Sequence, residues 1–377
     1  MPVRKSLLPR EGFTADPVFK LIGRTALNPV FLLPLFVLAK YTKKGEDMRI
    51  MHSTAFSRIK VLFYLGLARW LSNYLSDRVA NNWSRDKYDW PNEIAVVTGG
   101  AGGIGGHVVR LLAERGVKVV VLDIQPMTFE AGSNVHYFRC DLTSPASLAE
   151  VAQEVRAKVG EPTILVNNAG VVRGKTILET SEQDLKLTFD VNTFANFYTV
   201  KEFLPYMINK NHGMVVTVAS CAAFMTAPNL VDYAASKAAA LAFHDGLTTE
   251  LRTRYSAPKV RTVVVCQGFT KTPLFAGWKQ KAPFLAPALE PESVADAICE
   301  QIFSGRSGQI FMPKFGHTTR WLQAVPRWLS HRVRAKNEGL MSTFCGRQVL
   351  EDLEKRIEGE DTDKAPEEST VLVPMAE

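Results

Sequence analysis

The 377-residue chain reads as an α/β protein, a doubly wound parallel sheet with helices on both faces, flanked by an apolar N-terminal extension and an acidic C-terminal tail. Three observations predict this. From Glu93 onward, short β-branched runs alternate with segments long enough to be crossover helices. Those runs are almost continuously apolar, as strands covered on both faces require. A glycine-rich turn directly follows the first of them, where such sheets bind ligands.

In chain order, residues 1–91 form the extension. Its first apolar block, Asn28 to Ala39, is interrupted by Pro29 and Pro34 and is shorter than the ~20 residues of a spanning helix. The second block, Val61 to Leu75, is aromatic-rich and broken by Arg69, a pattern suited to a helix lying in a membrane interface. Basic residues such as Arg4, Lys5, Lys40, Lys43, Lys44 and Arg58 flank these blocks without forming an uninterrupted tract. The positive charge is therefore read as meeting a membrane or lipid-droplet surface and not nucleic acid.

Strands are expected at 94–98, 117–122, 135–138, 164–166, 214–218, 260–265 and 309–312, within a catalytic domain spanning 92–315. The segments 106–115, 144–159, 181–210 and 232–255 have the length of crossover helices. Residues 316–350 form a basic amphipathic segment in which Trp321, Val325, Trp328 and Leu329 lie near one helical face and Pro326 enforces a break. Residues 351–377 carry ten acidic against three basic side chains, a net −7, and are expected to be disordered; residues 1–350 then carry +14 of the chain's overall +7.

Five cysteines show no CxxC pair and no metal-type spacing, so no metal site is expected and a reducing compartment is the simplest setting. A hydrophobic content of 46% over this length suffices for one large core.

The residues with chemical potential fall in order. Thr98-Gly99-Gly100-Ala101-Gly102-Gly103-Ile104-Gly105 follows a strand and opens a helix, so the backbone can approach a pyrophosphate while N-terminal amides face its charge. Asp123 ends the second strand, where a carboxylate can accept bonds from adenosine ribose hydroxyls and would repel a 2′-phosphate; NAD is therefore favoured over NADP. A strand-end aspartate that merely caps its own turn is the plainer reading. Tyr233 and Lys237 stand four apart, on one helical face, so the ammonium is expected to favour the phenolate and make the phenol a general acid or base. Ser220 ends the run from Met214, about a dozen residues upstream.

Together Thr98-Gly99 to Gly105, Asn167-Asn168-Ala169-Gly170, Asn192, Ser220 and the Tyr233-Lys237 pair resemble the short-chain dehydrogenase/reductase family over roughly residues 92–313. The resemblance implies a Rossmann sheet and a hydride transfer between a nicotinamide cofactor and an alcohol or carbonyl. It implies that Tyr233 is the proton donor or acceptor, that Ser220 bonds the substrate oxygen, that Lys237 lowers the tyrosine pKa and binds ribose, and that Asn192 holds a water. It further implies cofactor contacts at Gly99, Gly103, Ile104, Gly105, Asp123, Asp141, Asn168 and Thr272. Where the family has Pro-Gly after its sixth strand this chain has Gln267-Gly268, which leaves Thr270 as a competing assignment to Thr272.

Within the family, Thr188 to Asn192, Lys201 to Pro205, Val216 to Ser220 and Leu289 to Ser293 are similar to the microsomal retinol and 17-beta-hydroxysteroid dehydrogenase group. That similarity implies a lipophilic small-molecule substrate, attachment at the cytosolic face of the endoplasmic reticulum or a lipid droplet, with a cytoplasmic setting as the second choice, and a homodimer. A soluble NADPH-dependent ketoacyl or polyketide reductase and a non-catalytic membrane scaffold are the alternatives. Leu274, Phe275, Trp278, Phe284, Leu285 and Leu289 are expected to form an apolar patch that serves as a lid excluding water or, equally, as a dimer or membrane contact.

Overall fold

The computed structural model describes residues 9–45, 47 and 53–348; the acidic tail expected over 351–377 lies outside the described residues. Seven parallel strands form one sheet in the order β3-β2-β1-β4-β5-β6-β7. They are β1 (Ile94–Thr98), β2 (Lys118–Asp123), β3 (Val135–Arg139), β4 (Ile164–Asn167), β5 (Met214–Val218), β6 (Arg261–Gln267) and β7 (Gly308–Met312). Every strand expected from sequence is present, within two residues at each end.

Alternation sorts the strand side chains into two cores. Val96, Leu165 and Val215 face one side, against Leu148 and Val155 of α5 (Pro145–Lys158), Phe203 and Met207 of α7 (Ala195–Lys210), and Leu247 of α8 (Val231–Thr253). Val97, Val166 and Val216 face the other, against Val108 and Leu112 of α4 (Gly103–Glu114) and Ile298 and Ile302 of α9 (Pro291–Phe303). The sequence reading named no helix at 291–303; this one closes the crossover from β6 to β7.

The single helix expected over 181–210 is divided. α6 (Glu182–Phe189), opened by a Ser181–Asp184 capping box, passes through a π-helical turn at Asp190–Phe194 before α7 begins. The wide turn carries Asn192, in keeping with the habit of π turns to occur at functional sites.

The extension forms α1 (Ala15–Arg24), α2 (Pro29–Tyr41) and α3 (Ser53–Ala80). Asn28 caps α2, its side-chain oxygen accepting from the Val30 amide at 3.0 Å, and Pro29 occupies the first turn, where its missing amide costs nothing. Phe36 of α2 stacks on Phe56 and Phe63 of α3, with ring centroids 5.8 and 5.5 Å away. Arg69, read from sequence as an interruption, turns inward and donates to the Gly23 carbonyl at 2.7 Å, neutralising the negative end of α1. Away from these contacts the pair is bare: Phe31 is 65% exposed, Leu38 56% and Trp70 53%. Among the described residues no single helix is long and apolar enough to cross a membrane; α1 and α2, bent by 41°, reach that length and composition only together.

Both ends of the extension are fastened to the sheet. At the carboxyl side Asp16 accepts from the Lys314 amide at 2.9 Å, just beyond β7, and Arg10 pairs with Asp296 at 2.5 Å. At the opposite side Asn81 accepts from the Ser307 amide at 2.9 Å, and Arg261, only 1% exposed, donates to the carbonyls of Asn81 at 3.0 Å and Ser84 at 3.1 Å. Beyond β7, 3₁₀ turns at Lys314–Gln323 and α10 (Arg327–Ala335) are separated at Pro326, the break its ring imposes.

Removing the guanidinium of Arg261 strips these carbonyls of a charged donor inside a closed space. Arg261→Ala is expected to lower the unfolding free energy by about 3 kcal/mol, measured by urea titration, whereas an unchanged midpoint would show that the linker docks without it.

Candidate active site

The strand order reverses between β1 and β4, and the cleft opens at that point, at their carboxyl ends. The Thr98 hydroxyl oxygen accepts from the amides of Asn168 at 3.0 Å and Ala169 at 3.1 Å, tying the two diverging loops together. The Asn168 side-chain amide donates back to the carbonyls of Thr98 and Gly99, at 3.1 and 3.0 Å. The glycine turn follows from this closeness: a Cβ on Gly105 would lie 2.2 Å from the Gly99 carbonyl oxygen and 2.5 Å from the Asn168 amide nitrogen. α4 starts at Gly103, so the amides of its first turn point into the cleft.

The cleft has a volume of about 1180 Å³. Gly99, Gly103, Ile104, Asp123, Asp141, Asn168, Ser220, Tyr233, Lys237 and Thr272 all line it. Gly105 and Asn192 do not: the glycine packs beneath the turn, and Asn192 is 1% exposed behind the wall. This cradle, with amides at one side and a carboxylate 20 residues on, fits a dinucleotide. Gly99 to Gly105 would hold its pyrophosphate and Asp123 its adenosine ribose.

Asp123 performs the plainer task as well. Its two oxygens accept from the amides of Ala101 and Gln125, each at 3.0 Å, so it caps its own turn while facing the cleft; burial raises its pKa against those bonds. Asp141 accepts from Thr143. Of the two threonines competing for one role, Thr272 stands over the pyrophosphate turn, its methyl 3.8 Å from where a Cβ on Gly103 would be. Thr270 is 3% exposed and donates to the Gly268 carbonyl at 3.3 Å.

At the other end, Tyr233 and Lys237 rise from the first two turns of α8, with Ser220 at the end of the loop after β5. Ser220 donates to the Gln267 carbonyl at 3.3 Å and accepts from the Ala222 amide at 3.1 Å. Lys237 Nζ lies 5.8 Å from the centre of the Tyr233 ring and donates to the Val218 carbonyl at 2.8 Å.

The electrostatics depart from the expected phenolate. Burial pushes Tyr233 up to about 12, against the downward pull of the Ser220 hydrogen bond. Burial also lowers Lys237 to about 8. Desolvation penalises the charged form of each group and is the largest influence on both. The phenol is accordingly neutral over the ordinary pH range.

Asn192 is held within the fold. Its side chain accepts from the Val171 amide at 2.8 Å and donates to the Val171 carbonyl and the Ser236 hydroxyl at 2.9 and 3.0 Å. It pins the loop after β4 to α8, one turn from Tyr233. Cys221, adjacent to Ser220, is a wall residue: burial pushes its thiol up to about 12, and its Sγ donates to the Cys266 carbonyl.

Phe275 meets the Tyr233 ring edge-on at 5.5 Å, and Trp278 stacks on Phe269 at 4.8 Å. These are the lid. Leu289, expected with them, is instead 3% exposed in the core beside α9, because the Thr270–Leu289 bridge draws it beneath the sheet edge. Sequence reasoning missed Leu340 and Arg347, which also line this site, and Val172 and Met341, which pack around Tyr233 behind its wall. They come from distant segments with no shared motif, and only the folded chain assembles them.

Residues 93–283 match the model of the short chain dehydrogenase family. Dehydrogenase RED2 of Cochliobolus heterostrophus is 46% identical over 198 residues, covering 52% of this chain and 75% of that protein. Epidermal retinol dehydrogenase 2 of Mus musculus and estradiol 17-beta-dehydrogenase 11 of Pongo abelii are 33% and 36% identical over 251 residues, each alignment covering 64% of this chain and 81% of the relative. Among solved structures, the aldohexose dehydrogenase of Thermoplasma acidophilum superposes with a TM-score of 0.53 at 24% identity, covering 59% of this chain and 93% of that one, a likeness of fold. Members of the family use NAD(H) or NADP(H). With its cradle, its Ser220, Tyr233 and Lys237 and this match in hand, the chain belongs to the short-chain dehydrogenase family and is an oxidoreductase.

Proposed function

We propose that this protein interconverts a hydrophobic alcohol and its carbonyl compound, such as a retinoid, a steroid or another lipid-like molecule, at a membrane or lipid-droplet surface. The observation that carries the reading is where Tyr233 points: into a cleft walled by Leu230, Leu274, Phe275, Trp278 and Leu340, beside the Ser220 hydroxyl. An apolar wall with a few convergent polar groups selects an apolar substrate with one reacting oxygen. Relatives named for retinol and estradiol support the same class.

The nicotinamide, when bound, supplies or accepts the hydride. The chain's own residues handle the proton. In reduction the neutral phenol of Tyr233 donates its proton to the carbonyl oxygen, while Ser220 hydrogen-bonds that oxygen and fixes its position. In oxidation the phenolate form of Tyr233 accepts the hydroxyl proton and becomes the neutral phenol, so this direction draws on the small ionised fraction. Lys237 supplies positive charge beside the phenol and a donor toward a ribose. Phe275 and Trp278 exclude water from the transfer. NAD is the favoured cofactor, since the Asp123 carboxylate suits a free ribose hydroxyl.

The bare apolar face of α2 and α3, bearing Phe31, Leu38 and Trp70, would rest in the interfacial layer of a membrane, the basic residues around it meeting anionic headgroups.

Three outcomes follow. Tyr233→Phe is expected to lower turnover by at least ~10³-fold while leaving cofactor affinity unchanged, and a variant keeping a tenth of the activity would refute the proton role. Because the phenol's pKa is raised, its acid form prevails through neutrality and beyond. Carbonyl reduction should therefore stay level from about pH 6 to 7.5, below the range in which Lys237 loses its charge, while alcohol oxidation climbs over the same range; a reduction rate that halves near pH ~7 would mean the phenol titrates there. Finally, Phe31→Glu with Leu38→Glu should shift the full-length protein from the vesicle pellet to the supernatant in sedimentation, and equal partitioning of both proteins would sink the surface reading.

A further inference from the structure

Residues 336–348 lie across the cleft as a strap. The strap is laced to the lid through its backbone: the Lys279 amide donates to the Leu340 carbonyl at 3.0 Å, the Cys345 amide to Ala276 at 3.0 Å and the Arg347 amide to Pro273 at 2.9 Å. The Phe344 ring presses it down on bare backbone, for a Cβ on Gly174 would fall 2.0 Å from that ring. Met341 is 1% exposed, and with Leu340 it belongs to the cluster that encloses Tyr233. The strap thus begins beside the reacting phenol.

It ends at the opposite side of the cleft. Arg347 Nη2 donates to Gln125 Oε1 at 3.2 Å, and its charge acts on the Asp123 carboxyl. Arg347, Gln125 and Asp123 line one continuous space. The chain directly after Asp123 runs Ile124-Gln125-Pro126 and carries no cation of its own. Arg139 is paired with Asp123 in the β2–β3 register, and it opens onto the same space. A lone carboxylate would exclude a 2′-phosphate from this corner, whereas a guanidinium nearby can take one through two parallel N–H bonds.

We propose that Arg347, carried to the adenosine end by the C-terminal strap, is a binding residue for the 2′-phosphate of NADP(H), so that the site accepts both dinucleotides despite Asp123. This rests on the reading that Asp123 meets the adenosine ribose. The residue lies outside the segment matched to the family model, residues 93–283.

The test uses two ligands without nicotinamide, ADP-ribose and 2′-phospho-ADP-ribose, titrated calorimetrically into the full-length protein. The wild type is expected to bind them within about tenfold of each other. Arg347→Ala should weaken the phosphorylated ligand at least ~10-fold and ADP-ribose less than ~3-fold, and Arg347→Lys should recover part of the difference. An equal loss for both ligands would reduce Arg347 to a support for the strap and overturn the proposal, as would no loss for either. A wild type that binds ADP-ribose but not its phosphorylated form would overturn it while leaving the dinucleotide reading intact. Failure of both ligands to bind the wild type would bring down that reading too.

Discussion

The hydroxyl of Thr98 is the hub on which the site depends. Two amides from the loop after β4 converge on it, and the Asn168 side chain returns two bonds to the backbone around it. At this point neighbouring crossovers leave the sheet in opposite directions, so the backbone groups at the strand ends have no further strand to pair with. Satisfying them locally is obligatory in a closed interior. The bonds that do so also set the distance between the glycine turn and the β4 loop, and with it the width of the cleft. Everything that would bind across this gap inherits its dimensions from one side-chain oxygen.

The reacting end is governed by a different force, exclusion of water. The lid and strap enclose Tyr233 and Lys237, so both are disfavoured in their charged states. A lysine beside a tyrosine suggests mutual stabilisation when the two are considered alone. Inside this fold each is first a desolvated group, and the Val218 carbonyl, not the phenol, receives the hydrogen bond from the ammonium.

Much of this architecture is legible in the sequence for identifiable reasons. β-branched runs such as Val117 to Leu122 and Val260 to Val265 have no other stable use than buried strands, and the glycine turn announces its own tight approach. The residues that converge on the cleft are likewise visible where spacing within one helix or turn joins them, as with Tyr233 and Lys237. What escapes is contact across long separations. Nothing local to Arg347 tells of Gln125, 222 residues away, and nothing local to Arg261 tells of Asn81, 180 residues away. The π turn at Asn192 escapes for another reason: its sequence is an ordinary helical one, and the extra residue in the turn is imposed by the bonds that Asn192 makes to Val171 and Ser236. Asp123 is a middle case, because capping its turn and facing a ribose need the same carboxylate at the same place.

The fastening of the extension at both ends of β7 has a mechanical consequence. The extension docks near its start beside Lys314 and near its end beside Ser307, one just beyond and one just before β7, and the chain then runs on into β1. A pull on the exposed helices is shared between the covalent link into β1 and two docking contacts a strand's length apart, so the part that reaches β7 loads it in shear along its axis. Shear requires several ladder bonds to yield together, whereas a single anchorage would let them unzip one at a time. The helices can therefore be tugged by whatever holds them while the sheet that shapes the cleft keeps its register.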